Sequence, residues 1–453
     1  MINPIIIICT RPESSRLPEK CFKKIAGVEI LSHILKRIEN SGITTVLALP
    51  QGLSVRHNGA YQRIIEEYKH KIDLKIFRGY NNSPLHRMSG ILNDTEYGIN
   101  KTHVVRITHD DPLIDLESIN QMLDIVEAEK VGYIYNPKIF EGAGVEIICR
   151  ENLIHAAKNI ENDTEHISYF VRGENSPNQS VKIYVPRQSI TRKYRLTVDY
   201  PEDCIVLEAA LRGAGGAFAS NDSICEYLDK NQHILEYNRL PEVTIYTCAY
   251  NSEKFIGNTI LNTLNAYHDM EYIVIDDGSK DSTLQEILKY SGNKKMRLLV
   301  NDENIGLSSS ANKAIKNARG RYIMRVDADD YLKPNAIPKM LNEIKILDSG
   351  IVYSDYTEID EAGNVLPATL RGDVNHHAGC ALMNLKMLNE VRFREGLRHW
   401  DSLDIYYRMS KHFQISYLNS PLWFYRQSQQ SLSKNNLEER KKLKNKIEQE
   451  NLK

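Results

Sequence analysis

The chain has 453 residues, more than one ordinary core accommodates, so two or three domains are expected. Its 58 lysines and arginines balance 59 aspartates and glutamates, which leaves no overall electrostatic pull toward nucleic acid or a membrane surface. The longest fully apolar run, Ile5 to Cys9, is far short of the ~20 residues of a membrane span and has no basic stretch before it. The seven scattered cysteines include no CxxC pair, so neither a disulfide framework nor a zinc site is expected, and a reducing cytoplasm fits best.

Taken in order, Pro4 to Cys9 (PIIIIC) reads as a strand buried on both faces of a parallel sheet. The loop TRPESSRLPEK follows, Thr10 to Lys20, and then an amphipathic helix near Ile30 to Asn40 with Leu31, Ile34, Leu35 and Ile38 on one face. Arg11, Arg16, Lys20 and two serines in such a loop can converge on a polyphosphate above the strand's carboxyl end. A basic surface loop is the plainer reading. VVRITHDDPLID, Val104 to Asp115, brings Asp110 and Asp111 to the end of a second apolar run. YRLTVDYPEDCIVLEAAL places Asp199 at the end of another strand-like run, just before a helix. Asp110 and Asp199 can share a metal over one sheet edge, or Asp199 can be only the N-cap of that helix.

TRPESSRLPEK, VRITHDDPLID, EGAGVEII, DTEHISYF and LTVDYPED come in the order seen in spore-coat-polysaccharide-type cytidylyltransferases. These are relatives of the enzymes that activate sialic and deoxyoctulosonic acids, and residues 3 to 235 resemble them. The resemblance implies a Rossmann-like fold that binds CTP, with Arg11, Ser14, Ser15, Arg16 and Lys20 around the triphosphate. Arg16 and Lys20 would act at the reacting phosphate, and Asp110 and Asp199 would hold Mg²⁺. The implied reaction is attack of a sugar hydroxyl or phosphate on the α-phosphorus with release of pyrophosphate. Glu146, Glu165 and His166 match positions near the acceptor sugar. Glu13 is a departure, because the family loop usually has glycine there and a carboxylate repels phosphate unless it faces solvent.

The stretch from Asp229 to Leu240 is polar, and PEVTIYTCAYN then restarts a buried strand. The boundary is expected near Pro241, giving domains over 1–240 and 241–434 and a charged tail over 435–453. The new segment reads as strand (Val243 to Cys248), helix (about Ser252 to Tyr267), strand (Glu271 to Ile275) and DDGSKDST, an α/β alternation with Asp276 and Asp277 at a strand's carboxyl end. Further on, a buried strand from Tyr322 to Val326 runs into Asp327, Asp329 and Asp330. This is either a hard-cation site or a surface acidic turn.

AYN (Ala249 to Asn251), VIDDGSKDST, NDENIGLSSSANKAI and VDADDYLKPNAI resemble, in order and spacing, a family-two glycosyltransferase of GT-A fold over residues 241 to 430. By that resemblance Tyr250 stacks near the nucleobase, Asp277 accepts a hydrogen bond from it, and Asp327 lies by the ribose. Asp329 ligates Mg²⁺ or Mn²⁺ on the donor diphosphate. An inverting transfer also needs a base. Asp401 in LRHWDSLDIYYRM is the candidate, Asp404 one turn on is the alternative, and a helix-start acid is the plain reading of Asp401. Trp400 stands where the family shows Glu, Ala311 where it often has Arg, and Cys248 where Thr or Pro is common. His399 is placed near the acceptor, and Arg426, in WFYRQSQQSLS, near the donor phosphates in a closing loop. His376 and His377 point different ways on any regular element and are not read as a metal pair. The tail reads as an exposed or docking helix.

The expectation is an α/β chain of two Rossmann-like nucleotide-binding domains in tandem, a bifunctional surface-glycan enzyme. One domain activates a sugar with CTP, and the other transfers a sugar from a nucleotide-sugar donor to a glycan, lipid-linked or protein acceptor. Nucleic acid is not an expected partner, since no basic patch with interleaved aromatics occurs, and a homo-oligomer is allowed. The expected location is cytoplasmic, or peripheral at the inner face of the membrane. The alternative is a single catalytic domain beside a degenerate binding or dimerisation module. Direct hand-over between domains meets a chemical difficulty: a metal on an acidic turn suits a donor with two phosphates, whereas relatives of the first domain often make CMP-linked sugars with one.

Overall fold

The computed structural model describes residues 2–14, 16–80, 83–159, 167–172, 175–370, 379, 381–397, 400–427 and 437–451. The chain divides into two compact units, Met1–Arg239 and Leu240–Lys453.

In the first unit the strands are β1 (Pro4–Cys9), β4 (Thr45–Pro50), β5 (Leu74–Gly79), β6 (His103–Thr108), β7 (Tyr133–Tyr135), β8 (Glu146–Cys149) and β9 (Val181–Ile183), with a short separate pair, β2 (Lys24–Ile25) and β3 (Val28–Glu29). Among the described residues the sheet order is β5-β4-β1-β6-β8-β7-β9. The first four strands are parallel, and β8 runs antiparallel to both β6 and β7. The central place of β1 explains its unbroken apolar sequence. Ile6 and Ile8 pack on one face with Leu31, Ile34 and Leu35, while Ile5 and Ile7 pack on the other with Leu85, Met88 and Ile91. The expected amphipathic helix forms over Ile30–Arg37.

The strand-like run before Asp199 is not a strand. It makes one isolated bridge, Glu141 to Arg195, and its Val198 N–H donates to the Asp110 carbonyl at 2.9 Å. The segment is extended because it is fastened to the loop after β6, and this brings Asp199 to Asp110.

In the second unit the strands are β10 (Val243–Ala249), β11 (Met270–Asp276), β12 (Met296–Val300), β13 (Tyr322–Arg325), β14 (Tyr331–Leu332), β15 (Ile351–Ile359), β16 (Val365–Leu370), β17 (Ala381–Asn384) and β18 (Ile415–Arg426). Their order is β12-β11-β10-β13-β17-β15-β18-β14, with β16 on β15. The four strands from β12 to β13 are parallel, and β17 reverses the direction. The parallel half therefore carries Tyr250, Asp276, Asp277 and the acidic turn at its carboxyl edge, the usual ligand edge of such sheets.

One expectation changes here, and the tail takes one of its two expected forms. Trp423 to Arg426 are the end of β18, paired with β14 and β15, and not part of a closing loop; residues 428–433 lie outside the described residues. The tail forms a helix, Leu437–Asn451, that docks: Ile447 is buried and Glu450 pairs with Arg394 at 2.7 Å. Among the described residues no helix is long and apolar enough to cross a membrane.

Candidate functional site

The first centre forms where the loop after β1, the end of β6 and the segment 194–199 meet. Lys20 is 5% exposed, and its ammonium lies 3.2 Å from Asp110 Oδ2 and 3.1 Å from Asp199 Oδ1. Burial works against a charged lysine, yet the two carboxylates outweigh it and hold its pKa above the usual value. Burial likewise pushes Asp110 up, but Lys20 and His109 win and hold it well below the carboxylate range. Asp199 is also lowered, with Lys20 again the main force against burial.

Arg16 and Arg195 complete the cation set. Arg16 Nη1 is 3.9 Å from Asp199 Oδ1, and Arg195 Nη2 is 3.2 Å from Asp199 Oδ2 and 3.0 Å from Asp203 Oδ2. Asp203 in turn accepts from the backbone N–H groups of Asp199 and Tyr200, and Tyr200 is the N-cap of the helix Pro201–Gly213. Asp199 is thus not the cap, and its carboxylate is turned to Lys20. Arg195 and Asp203 were missed in the sequence; the signal was an arginine four positions before Asp199 and the D-Y-P-E-D helix start that follows.

The other first-unit candidates are placed as follows. Ser14 Oγ accepts from the Leu17 N–H at 3.2 Å, and Arg11 is half-buried with its carbonyl accepting from Cys21 Sγ. Glu13 is exposed, so its carboxylate does not crowd the loop's interior. Glu146 lies on β8 with Oε2 accepting from Arg106 at 2.5 Å and Oε1 from Tyr133 at 2.7 Å. Ser15, Glu165, His166, His376, His377 and His399 lie outside the described residues.

In the second unit the acids of the turn separate. Asp330 is fully buried and accepts from Trp423 Nε1 (3.1 Å) and from the Arg426 N–H (2.8 Å), which ties the turn to β18. Burial and Asp329 hold its carboxyl well above the usual range. Asp327 and Asp329 remain partly exposed at the strand end. Burial, then Asp327, push Asp329 up to about 6.

Asp277, assigned to the nucleobase, is already engaged within the chain: Oδ1 accepts from Asn301 Nδ2 (2.7 Å) and Ile305 N (3.0 Å), and Oδ2 from Gly306 N (3.0 Å), so it also braces the loop 301–306. The acid with an unclaimed buried oxygen is its neighbour Asp276, whose Oδ1 has no partner among the described residues. Arg426 is not a free phosphate contact. Four of its five N–H groups go to the carbonyls of Asp329, Asp360 and Glu361 and to Tyr331 Oη. Asp404 is no alternative base, being fully buried and paired with Arg408 (2.6 Å) and Arg394 (3.2 Å).

Asp401 opens the helix Asp401–Ser410, and its Oδ2 accepts from Arg325 Nη1 at 2.8 Å; Arg325 Nε is also 2.9 Å from Asp327 Oδ1. Arg325 was missed, and its signal was a charge in the otherwise apolar run YIMRV. Tyr250, 45% exposed just beyond β10, is open for stacking. Ala311 is fully buried in the core beside Ile273 and Ile315.

A divalent ion fits this donor chemistry. No three His, Cys, Asp or Glu side chains form a ready cage among the described residues. Magnesium, however, is ordinarily held by one or two carboxylates, with water and substrate phosphates completing its shell. The pairs Asp110 with Asp199 and Asp327 with Asp329 are of that kind. Beside the first pair, burial and then Asp110 push Asp111 up to about 7.

Comparisons with known proteins agree with this division. The cytidylyltransferase family model matches residues 5–238, and that of glycosyl transferase family 2 matches residues 244–409. A chondroitin synthase of Escherichia coli is 36% identical over 130 residues, 28% of this chain and 19% of that protein. A hyaluronan synthase of Pasteurella multocida is 35% identical over 131 residues, again 28% of this chain, and 14% of its own length. The chain thus spans under a fifth of either relative. A solved cytidylyltransferase from Leptospira borgpetersenii covers 53% of this chain and 98% of its own, with a TM-score of 0.46 and 22% identity.

Proposed function

We propose that this chain, which belongs to the cytidylyltransferase family through residues 5–238 and carries a family 2 glycosyl transferase domain over residues 244–409, activates a sugar with CTP in its first unit and transfers a sugar in its second. The observation that carries the reading is Lys20 joined to both Asp110 and Asp199. Lys20, Arg16 and Arg195 set against Asp110, Asp199 and Asp203 balance in charge, and a triphosphate can enter this cradle as an exchange of partners. Arg16, 43% exposed at the same edge, is the solvent-facing cation of the set.

In the activation step an acceptor oxygen attacks the α-phosphorus, the bond to the β-phosphate oxygen breaks, and pyrophosphate leaves. Lys20 and Arg16 are assigned to charge on the phosphates, with Arg11 and Ser14 in the same loop. Asp110 and Asp199 would hold the metal. In the transfer step an acceptor hydroxyl forms the new bond at the sugar's anomeric carbon as the bond to the nucleoside diphosphate breaks. Asp401 takes the hydroxyl proton. Tyr250 is assigned to stacking on the nucleobase and Asp276 Oδ1 to accepting its N–H, with Asp327 and Asp329 toward the donor phosphates and their metal. Bound Mg²⁺ or Mn²⁺ supplies neutralisation of charge on the leaving phosphates.

Glu13 is exposed, which fits an active first unit, since its carboxylate need not meet the phosphates. The test is incubation of the full chain with Mg²⁺, CTP and a panel of acidic sugars and sugar phosphates, and separately with UDP-, CDP- and GDP-sugars. Pyrophosphate with a cytidine-linked sugar, and release of a nucleoside diphosphate, are expected. A chain that consumes no CTP with any member contradicts the activation half, and one that consumes no nucleotide sugar contradicts the transfer half.

A further inference from the structure

Arg325 is the last residue of β13 and is 5% exposed in a run whose other residues are apolar or aromatic. A buried guanidinium is costly unless it is paired. Its partners come from two distant parts of the chain. Nε lies 2.9 Å from Asp327 Oδ1 in the acidic turn, an ion pair without a hydrogen bond, and Nη1 donates to Asp401 Oδ2 at 2.8 Å, 76 positions away.

The start of the Asp401 helix makes this pairing matter. The residue before it, Trp400, is in the left-handed region at φ 63, and no side-chain hydrogen bond caps the helix. Among the described residues no side chain other than Arg325 is hydrogen-bonded or ion-paired to the Asp401 carboxylate. The direction of that carboxylate is therefore set by a strand residue.

We propose that Arg325 is a positioning residue for transfer: it holds Asp401 by one oxygen, leaves the other toward the acceptor hydroxyl, and joins that geometry to Asp327 on the donor side. The inference rests on Asp401 being the proton acceptor. The planar guanidinium donates to Asp401 at a fixed angle while its delocalised charge lies against Asp327, which the compact ammonium of lysine does not reproduce. Arg325→Lys therefore keeps the buried charge and loses the geometry.

A double-mutant cycle in the full chain tests this. The substrate is whichever of the UDP-, CDP- or GDP-sugars the protein hydrolyses fastest with Mn²⁺, and affinity for the matching Mn²⁺–nucleoside diphosphate is measured by calorimetry. Asp401→Asn is expected to lower kcat by about 100-fold or more. Arg325→Lys is expected to lower kcat by about tenfold, with KM and nucleotide affinity within about threefold of wild type. The double variant should be no slower than Asp401→Asn alone.

Multiplicative losses, a wild-type kcat in Arg325→Lys, or affinity falling in step with kcat overturn the proposal while leaving Asp401 in place. A wild-type rate in Asp401→Asn overturns the base assignment itself, and the inference with it. Arg325→Gln repeats the cycle if the lysine variant does not fold, and failure of both to fold assigns Arg325 to the core alone.

Discussion

Lys20 Nζ lies 3.1 Å from Asp199 Oδ1 across 179 positions of sequence, and the same ammonium also pairs with Asp110. One buried cation thus bridges two acids that meet at the end of β6. Lys20→Met should leave both carboxylates facing each other, destabilising the first unit by up to about 3–5 kcal/mol. Mg²⁺ should raise the melting temperature of the variant more than that of the wild type, because it replaces the lost charge. Equal shifts in a thermal melt would mean that no divalent ion is held between Asp110 and Asp199.

Gly278 follows the two acids after β11 with φ +71, and a Cβ there would sit 2.5 Å from the Glu303 carbonyl carbon. Gly278→Ala must displace the loop 301–306 that Asp277 braces. Binding of nucleoside diphosphate to the second unit should weaken about tenfold or more, a loss near 1.4 kcal/mol, while CTP consumption by the first unit stays unchanged. Calorimetry with UDP, CDP and GDP in the presence of Mn²⁺ reads this directly.

Asp404 separates a structural acid from the proposed base. It is fully buried between Arg394 and Arg408, so Asp404→Asn should lower the stability of the second unit by about 3–5 kcal/mol. Below its melting temperature the variant should keep a kcat near wild type. A folded Asp404→Asn protein with no transfer would move the proton acceptor one turn along the helix.

His33 predicts a pH effect on the stability of the first unit. Burial outweighs the hydrogen bond to the Ile25 carbonyl and holds the imidazole below its ordinary 6.5. The unfolded chain therefore binds a proton that the folded one refuses. Stability is complete above pH 6.5 and is lost as pH falls below it, by up to about 1.4 kcal/mol per pH unit, until the lowered folded value is reached. His33→Gln should flatten this part of the first unit's stability profile between pH 7 and 5. Parallel profiles for the two proteins would remove His33 from the account.

Much of this architecture was legible because it rests on short-range pattern. The continuous apolar runs of β1 and β10 declared central parallel strands, and the acids after β6, β11 and β13 declared a ligand edge. What the sequence did not reveal was orientation. Asp327, Asp329 and Asp330 look alike in DADD, and only the return of β18 some 93 positions later, with Trp423 on Asp330, turns one of them inward. Asp276 and Asp277 are likewise adjacent and equivalent until the loop 301–306 claims the second. Arg325 and Arg195 were passed over because each belongs to an extended segment and acquires meaning only from acids brought to it by tertiary folding.

The central claim is that one chain holds two independent nucleotide centres. The most direct measurement is a crossed assay of full-length Asp110→Ala and Asp329→Ala proteins, scoring pyrophosphate release from CTP and nucleoside diphosphate release from a nucleotide sugar. Asp110→Ala should abolish the first and spare the second, and Asp329→Ala should do the reverse. If either substitution leaves both activities intact, or a single one abolishes both, the chain does not work as two separate centres.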